Sequence, residues 1–311
     1  MNKPEILVIA GPTAAGKTAV SIAMAKRYGG EVVSCDSMQL YKYMDIGSAK
    51  PSPEEMDGVP HHMIDVIDPR EDFSVAVYQE MAKAAIADIL ERGRLPVICG
   101  GTGLYLNALL YEMDFGPSRR DSDYRRDLEK LAEEKGEKAL HARLAAVDPA
   151  SAERIHPHNI KRVIRALEAA ELDGRPLTAF ENVRKRSDAY TARLLGVTWD
   201  RPVLYRRIDE RVDRMLAAGL EKEVRGLMAR GFTSDDIAMK GIGYKELIDH
   251  FNGLYPYDEA VRLIKRNTRH YAKRQMTWFR KYEDMVWFNG SAYPDPKSWL
   301  EDMYAWADKR S

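Results

Sequence analysis

Four short apolar runs recur along the chain, each closed by turn residues. Residues 5–10 (EILVIA) stop at Gly11-Pro12, the pattern of a buried parallel strand meeting a turn. Residues 31–35 (EVVSC) end at Asp36, and 95–99 (LPVIC) run into Gly100-Gly101-Thr102-Gly103. Residues 191–198 (TARLLGVT) form the fourth run. Between the first two, Val20, Ile22, Met24 and Tyr28 recur at helical spacing, which predicts a helix over 17–28 stopped by Gly29-Gly30. Further helices are expected at 74–92, 203–217, 219–230 and about 257–282. Strand and helix alternate, so the pattern predicts an α/β fold: a P-loop-type parallel sheet flanked by helices.

The pattern changes near Gly116-Pro117. Helical spacing without strands covers 121–135, 136–146, 149–154 and 158–173, the last stopped by Gly174-Arg175-Pro176. The expected organisation is a core of 1–116 and 190–311, interrupted by an all-helical insertion domain at 117–189. The tail from Asn289, with Trp299, Tyr304 and Trp306, reads as a packing segment.

Charge and composition then narrow the classes. The chain has 311 residues, 45% of them hydrophobic, enough for a core and against whole-chain disorder. Lys and Arg number 48 and Asp and Glu 48, so a general polycation is excluded, though a local basic patch is not. Two cysteines, Cys35 and Cys99, make neither a disulfide framework nor a zinc site; they suit a reducing cytoplasm and read as small buried residues. Ile6–Ala10 is too short for a signal peptide or membrane span, and the expectation is a cytoplasmic protein with no membrane partner. Tyr41 and Tyr43 are expected in the core. His61-His62 follow Pro60, which suggests a rigid turn rather than a metal site.

The strongest chemical signal is Gly11-Pro12-Thr13-Ala14-Ala15-Gly16-Lys17-Thr18, a G-x-x-x-x-G-K-[ST] loop between a strand and a helix. Such a loop wraps backbone N–H groups around phosphate, and the helix behind it adds a positive dipole end. Lys17 neutralises phosphate charge and the Thr18 hydroxyl is placed for Mg²⁺. The motif implies a di- or triphosphate ligand, as in nucleotide-binding proteins, but does not decide the reaction. Asp36, ending the second strand, is placed as a metal ligand, a general base or a helix cap. The strand at 95–99 lacks the acidic ending of a plain ATPase.

An ordered set of motifs narrows this further: Gly11–Thr18, Asp36-Ser37-Met38-Gln39-Leu40-Tyr41, Asp45-Ile46-Gly47-Ser48-Ala49-Lys50-Pro51, Val59-Pro60-His61-His62, Gly100-Gly101-Thr102-Gly103-Leu104-Tyr105, Lys240-Gly241-Ile242-Gly243-Tyr244 and Lys273-Arg274-Gln275-Met276-Thr277-Trp278-Phe279-Arg280. This series resembles the bacterial tRNA dimethylallyltransferases over nearly the whole chain. The resemblance implies transfer of a dimethylallyl group from dimethylallyl diphosphate to N6 of adenine 37, beside the anticodon. It makes pyrophosphate the P-loop's main ligand, with Thr13, Lys17, Thr18 and Mg²⁺ at the leaving group. It makes Asp36 the base and puts Thr102 beside the target adenine. Arg207 and Arg211, four apart on one helix face, are candidates to clamp pyrophosphate.

The acceptor implied is the tRNA anticodon stem-loop, bound by a monomer. Between Ala260 and Tyr282, Arg262, Lys265, Arg266, Arg269, Lys273, Arg274, Arg280 and Lys281 occur with no Asp or Glu, interleaved with Tyr271, Trp278 and Phe279. That is an RNA-facing pattern. By resemblance, Ser37, Met38, Gln39, Thr102, Lys240, Gly241, Lys273, Arg274 and Gln275 contact the RNA, as do Arg125, Asn159, Ile160, Lys161 and Arg162 in the insertion. The competing classes are a P-loop kinase consuming ATP, a prenyl transferase using free AMP, and a non-enzymatic nucleotide switch.

Overall fold

In the computed structural model, residues 3–71, 73–113, 122–172 and 185–309 are described. They divide into two compact units, 1–110 with 187–311, and 111–186. The sequence pattern puts both junctions a few residues later. Gly116-Pro117 and the Gly174-Arg175-Pro176 helix stop lie outside the described residues.

The first unit is built on six parallel strands: β1 (Glu5–Ala10), β2 (Gly30–Ser34), β3 (His61–His62), β4 (Leu95–Gly100), β5 (Thr191–Thr198) and β6 (Val286–Asn289). Their order is β3-β2-β4-β1-β5-β6. Central β1 pairs with β4 through Leu7–Val97 and Ile9–Cys99, and with β5 through Leu7–Arg193 and Ile9–Leu195. Leu7, Ile9, Val97, Leu195 and Val197 share one core cluster with Val20 and Met24 of α1 (Lys17–Tyr28) and Trp299 and Met303 of α13 (Pro296–Asp308). On the alternate pleat Ile6, Val8, Val33 and Ile98 are equally buried, so both faces are covered. The helix α3 (Val75–Glu91) packs on β2 and β4, and the buried Tyr78 hydroxyl donates to Ser34 O at 3.0 Å.

The strands β1, β2, β4 and β5 and the long helices follow the hydrophobic pattern closely, whereas His61-His62, expected in a rigid turn, pair with β2 as β3. Several elements do not show in that pattern. β6 is four residues long and exists by pairing with β5. The helix α4 (Gly103–Leu110) is apolar on nearly every side and has no alternation to read. The tail contains α13, started by an Asp295 side chain that accepts from Ser298 N at 2.8 Å, with Pro296 at the first helical position. Tyr41 is buried, but Tyr43 is exposed under the Arg230 guanidinium, contrary to expectation; its backbone is left-handed, φ 68°.

The described residues of the second unit form four helices: α5 (Ser122–Lys135), α6 (Glu137–Val147), α7 (Pro149–Arg154) and α8 (Ile160–Glu171). Leu128, Leu140, Leu144, Val163, Ile164 and Leu167 form its core. Among the described residues, no helix of either unit is long and apolar enough to cross a membrane.

At the far edge of the sheet the His62 Nε2 pairs with Glu31 Oε2 at 2.7 Å. No described group of three or more His, Cys, Asp or Glu side chains could hold a metal ion. Glu31, 3% exposed, also accepts from Arg92, whose Nη2 lies at 2.8 Å. The Arg92 bonds, against a smaller opposing effect of burial, hold the Glu31 carboxyl down to about 2, below its usual 4.5. A depressed carboxylate stabilises the fold fully above about pH 4.5 and loses that contribution as pH falls toward 2. Glu31→Gln is therefore expected to cost about 1–3 kcal/mol in chemical denaturation at pH 7. The gap to the parent should close as the same titration is repeated from pH 4.5 down toward pH 2.

Candidate active site

A parallel sheet puts all its strand carboxyl ends on one edge, where open α/β folds bind ligands. Here that edge carries the 11–18 loop after β1, Asp36 after β2, Gly101–Thr102 after β4 and Trp199 after β5. Thr13, Lys17, Thr18, Asp36 and Gly100 on that edge line a cavity of about 340 Å³ together with two helices. The helices are α9 (Arg201–Ala217) and α12 (Tyr257–Phe279).

The loop adopts the expected cradle. Gly16 caps α1 with φ 102° and no side-chain cap, which leaves the first-turn N–H groups of Lys17 and Thr18 without intrahelical acceptors. Ala14 is left-handed at φ 62°, a conformation costing about 1–2 kcal/mol outside glycine. Two donors hold it there. Arg207 Nε donates to Ala14 O at 2.9 Å, and Trp199 Nε1 donates to Ala15 O at 2.9 Å. Arg207 also stacks over the Trp199 ring, 4.5 Å from its centroid. Two loop N–H groups are already engaged: Thr13 N donates to Gln275 Oε1 at 2.8 Å and Ala15 N to Pro12 O at 3.3 Å.

The two arginines separate. Arg211 lines the cavity and its Nη1 donates to Thr13 Oγ1 at 3.1 Å; Arg207 braces the loop through the Ala14 carbonyl. Lys17, Thr18 and Asp36 line the same cavity. Lys17 Nζ donates to Pro12 O at 2.9 Å. Burial first, then nearby Arg211, draws the Lys17 pKa from 10.5 to about 8, against the opposing pull of Cys99 and Asp36. Burial also lowers the pKa of Arg211. Two cations are thus held in a desolvated pocket, an arrangement an anion relieves.

The opposite side is built around Asp36. Its Oδ1 accepts from Met38 N at 2.9 Å, and Ser37 N donates to Thr102 Oγ1 at 3.0 Å. Gln39 is tied between Ser34 Oγ, which donates to it at 2.8 Å, and Ala49 O, which accepts from it at 3.1 Å. Gly100 is required where β4 passes β2: a Cβ there would lie 2.1 Å from Cys35 O. Burial raises both thiols, Cys35 to about 12, so neither is a nucleophile near neutral pH. The remaining wall is apolar, formed by Ile208, Val212, Met215, Leu220 and Ile264.

A carboxylate with no motif around it proves important. Glu223, on α10 (Leu220–Ala229), accepts backbone N–H bonds from Asp45, Ile46 and Gly47 at 3.0, 2.7 and 3.1 Å. It also accepts from the buried Tyr244 hydroxyl at 2.7 Å, fixing the 45–49 and 241–244 segments that line the cavity. A lone Glu on a helix gives no sequence signal of this.

The expected RNA contacts fare unequally. Met38, Lys240, Gly241 and Arg274 line the cavity, and Lys273 is exposed on α12. Lys265 and Arg269, read as part of an RNA-facing run, instead pair with Asp213 and Asp209 of α9. Gln275 is buried, its amide engaged inside the protein. In the second unit Arg125 makes two 2.9 Å bonds to buried Glu168, and Ile160 packs on the helical core. Asn159, Lys161 and Arg162 stay exposed.

Fold and site define a P-loop α/β protein whose anion cradle opens onto an apolar wall and an acidic strand end. The profile of the IPP transferase family matches residues 39–282, and that of the isopentenyl transferases residues 4–69. The tRNA dimethylallyltransferase of Geobacillus kaustophilus is 53% identical over 285 residues, covering 92% of this chain and 90% of that protein. That of Acetivibrio thermocellus is 48% identical, covering 96% of each. The solved structure of a tRNA isopentenylpyrophosphate transferase from Bacillus halodurans superposes with a TM-score of 0.74 at 45% identity, covering 98% of this chain and 96% of that one. A eukaryotic dimethylallyltransferase acting on tRNA gives a TM-score of 0.82 at 27% identity, covering 99% of this chain and 80% of that one. The chain belongs to the IPP transferase family.

The lowered Lys17 pKa makes anion binding pH-dependent. Lys17 carries its charge below about pH 8 and loses it above. Affinity for inorganic pyrophosphate, measured calorimetrically, is expected to fall as pH rises through that value. Lys17→Met should bind more weakly and lack that step.

Proposed function

We propose that the protein transfers the dimethylallyl group of dimethylallyl diphosphate to N6 of adenine 37 in tRNA, releasing pyrophosphate. The observation that carries this reading is one cavity holding three unlike walls: the cations Lys17 and Arg211, the carboxylate of Asp36, and the apolar Ile208, Val212, Met215, Leu220 and Ile264. A diphosphate, a nucleophile's proton and a five-carbon hydrocarbon each find their own chemistry there. The cavity is complete within one chain, so a monomer suffices, and the unpaired cysteines suit the cytoplasm.

The target base lies inside an RNA loop and must be turned out into the cavity. The diphosphate sits on the amides of Lys17 and Thr18, with Lys17 Nζ and Arg211 on its oxygens. The allylic C–O bond breaks, and its electron pair leaves on the diphosphate. These donors are already in place for the charge that develops there. The N6 lone pair forms the new C–N bond, and Asp36 takes the N6 proton. The Thr102 hydroxyl holds the Ser37 amide and thereby the start of the Asp36 loop.

Magnesium fits this site as a companion of the diphosphate. The described residues offer no all-protein metal cage, whereas Mg²⁺ commonly takes one or two protein oxygens and completes its shell with phosphate and water. Thr18 would hold it, where it would add positive charge beside the leaving group.

RNA is gripped through phosphate contacts by Lys240, Lys273 and Arg274 in the first unit, and by Asn159, Lys161 and Arg162 in the second. Ser37, Met38 and Gln39 frame the flipped base.

Incubation with unmodified tRNA and labelled dimethylallyl diphosphate, followed by mass analysis of nucleosides, tests the reading. Label is expected on adenine 37; unlabelled RNA together with ATP-dependent phosphorylation of a nucleotide would overturn it. Asp36→Ala should lower turnover by about 10²–10⁴-fold while RNA binding persists. Neutralising Lys273 and Arg274 together should flatten the slope of log affinity against log salt by about 1–2. Arg269→Gln should leave that slope alone, because Arg269 faces Asp209.

A further inference from the structure

Gln275 sits on α12 in a run of exposed cations, yet its side chain points the other way. It is 5% exposed. Its Oε1 accepts from Thr13 N at 2.8 Å, and its Nε2 donates to Gly101 O at 2.9 Å. Thr13 belongs to the diphosphate cradle after β1. Gly101 precedes Thr102, which holds the Asp36 loop through Ser37 N at 3.0 Å. One amide therefore joins the half of the site that takes the leaving group to the half that takes the nucleophile.

The fit is specific. A carboxamide offers an acceptor and a donor in one planar group, and Asn is one methylene shorter. Gly101 is shaped to receive it, because a Cβ at that position would stand 2.2 Å from Gln275 Nε2. Tyr271, one helical turn earlier, lines the same cavity. The neighbouring Lys273 is exposed, so the same helix presents one face to solvent and another to the site.

We propose that Gln275 is a positioning residue for the transfer reaction: its amide sets the diphosphate cradle and the base-side loop in one register. This rests on the function proposed above. In-line displacement needs the departing oxygen, the allylic carbon and N6 aligned, and a misplacement of about 1 Å can cost ~10²-fold in rate. Gln275 touches no reacting atom in this scheme; it acts through Thr13 and Gly101.

The test compares Gln275→Met, similar in length but without the amide, and Gln275→Asn, which keeps the amide but cannot span both partners. Transfer kinetics, tRNA affinity by filter binding, affinity for inorganic pyrophosphate, and thermal melting are read on each. The expected result is a kcat loss of about 10²-fold in both variants, with tRNA affinity unchanged and cooperative melting retained. Pyrophosphate affinity should fall less than kcat, because Lys17 and Arg211 remain. Should Gln275→Met melt without cooperativity, Gln275→Asn carries the comparison. An unchanged kcat in a folded variant would overturn the proposal. So would weaker tRNA binding at normal kcat, which would make Gln275 an RNA contact instead. Failure of the parent protein to prenylate tRNA counts against the proposed function, and the pyrophosphate titration is read independently of that outcome.

Discussion

The arrangement of parallel strands governs this molecule. Because β1, β2, β4 and β5 run the same way, the loops that follow them meet at one edge. An anion loop, an aspartate, a glycine pair and a tryptophan, scattered between residues 11 and 199, become neighbours there. Ile6, Val8, Val33 and Ile98 on one pleat and Leu7, Ile9 and Val97 on the other are all buried, so the strands that carry this edge are packed from both sides.

Onto that edge the helices bring charge and shape. The helix α9 contributes one arginine to the cavity, another to the loop behind it, and two aspartates to its neighbour α12. Those aspartates alter the meaning of the acid-free basic run. Lys265 and Arg269 pair with those two aspartates, while Lys273 and Arg274 remain exposed for phosphate. The overall balance of 48 positive and 48 negative side chains conceals this division of labour.

Much of the site is legible in the order of residues, because its chemistry is local. The cradle at 11–18 carries its own geometry: glycines where the backbone turns, a helix start behind, and a lysine to meet charge. Asp36 and Thr102 are readable as strand ends. What is not legible comes from residues far apart. Glu223 is one glutamate among many until Asp45, Ile46, Gly47 and Tyr244 close around it. Gln275 lies inside a basic motif, and only folding turns its amide toward Thr13 and Gly101. Arg207 and Arg211 share a helix face, and only the loop against them decides which braces and which binds.

The sequence by itself determined four of the strands, the long helices, the anion loop and the family, because periodicity, turn residues and ordered motifs are properties of neighbours along the chain. Tertiary structure decided the placement of β6 and α4, the pairing of Lys265 and Arg269, and the inward turn of Gln275. These depend on which groups must find partners once the chain folds, and a partner tens to hundreds of residues away leaves no mark on the sequence around it.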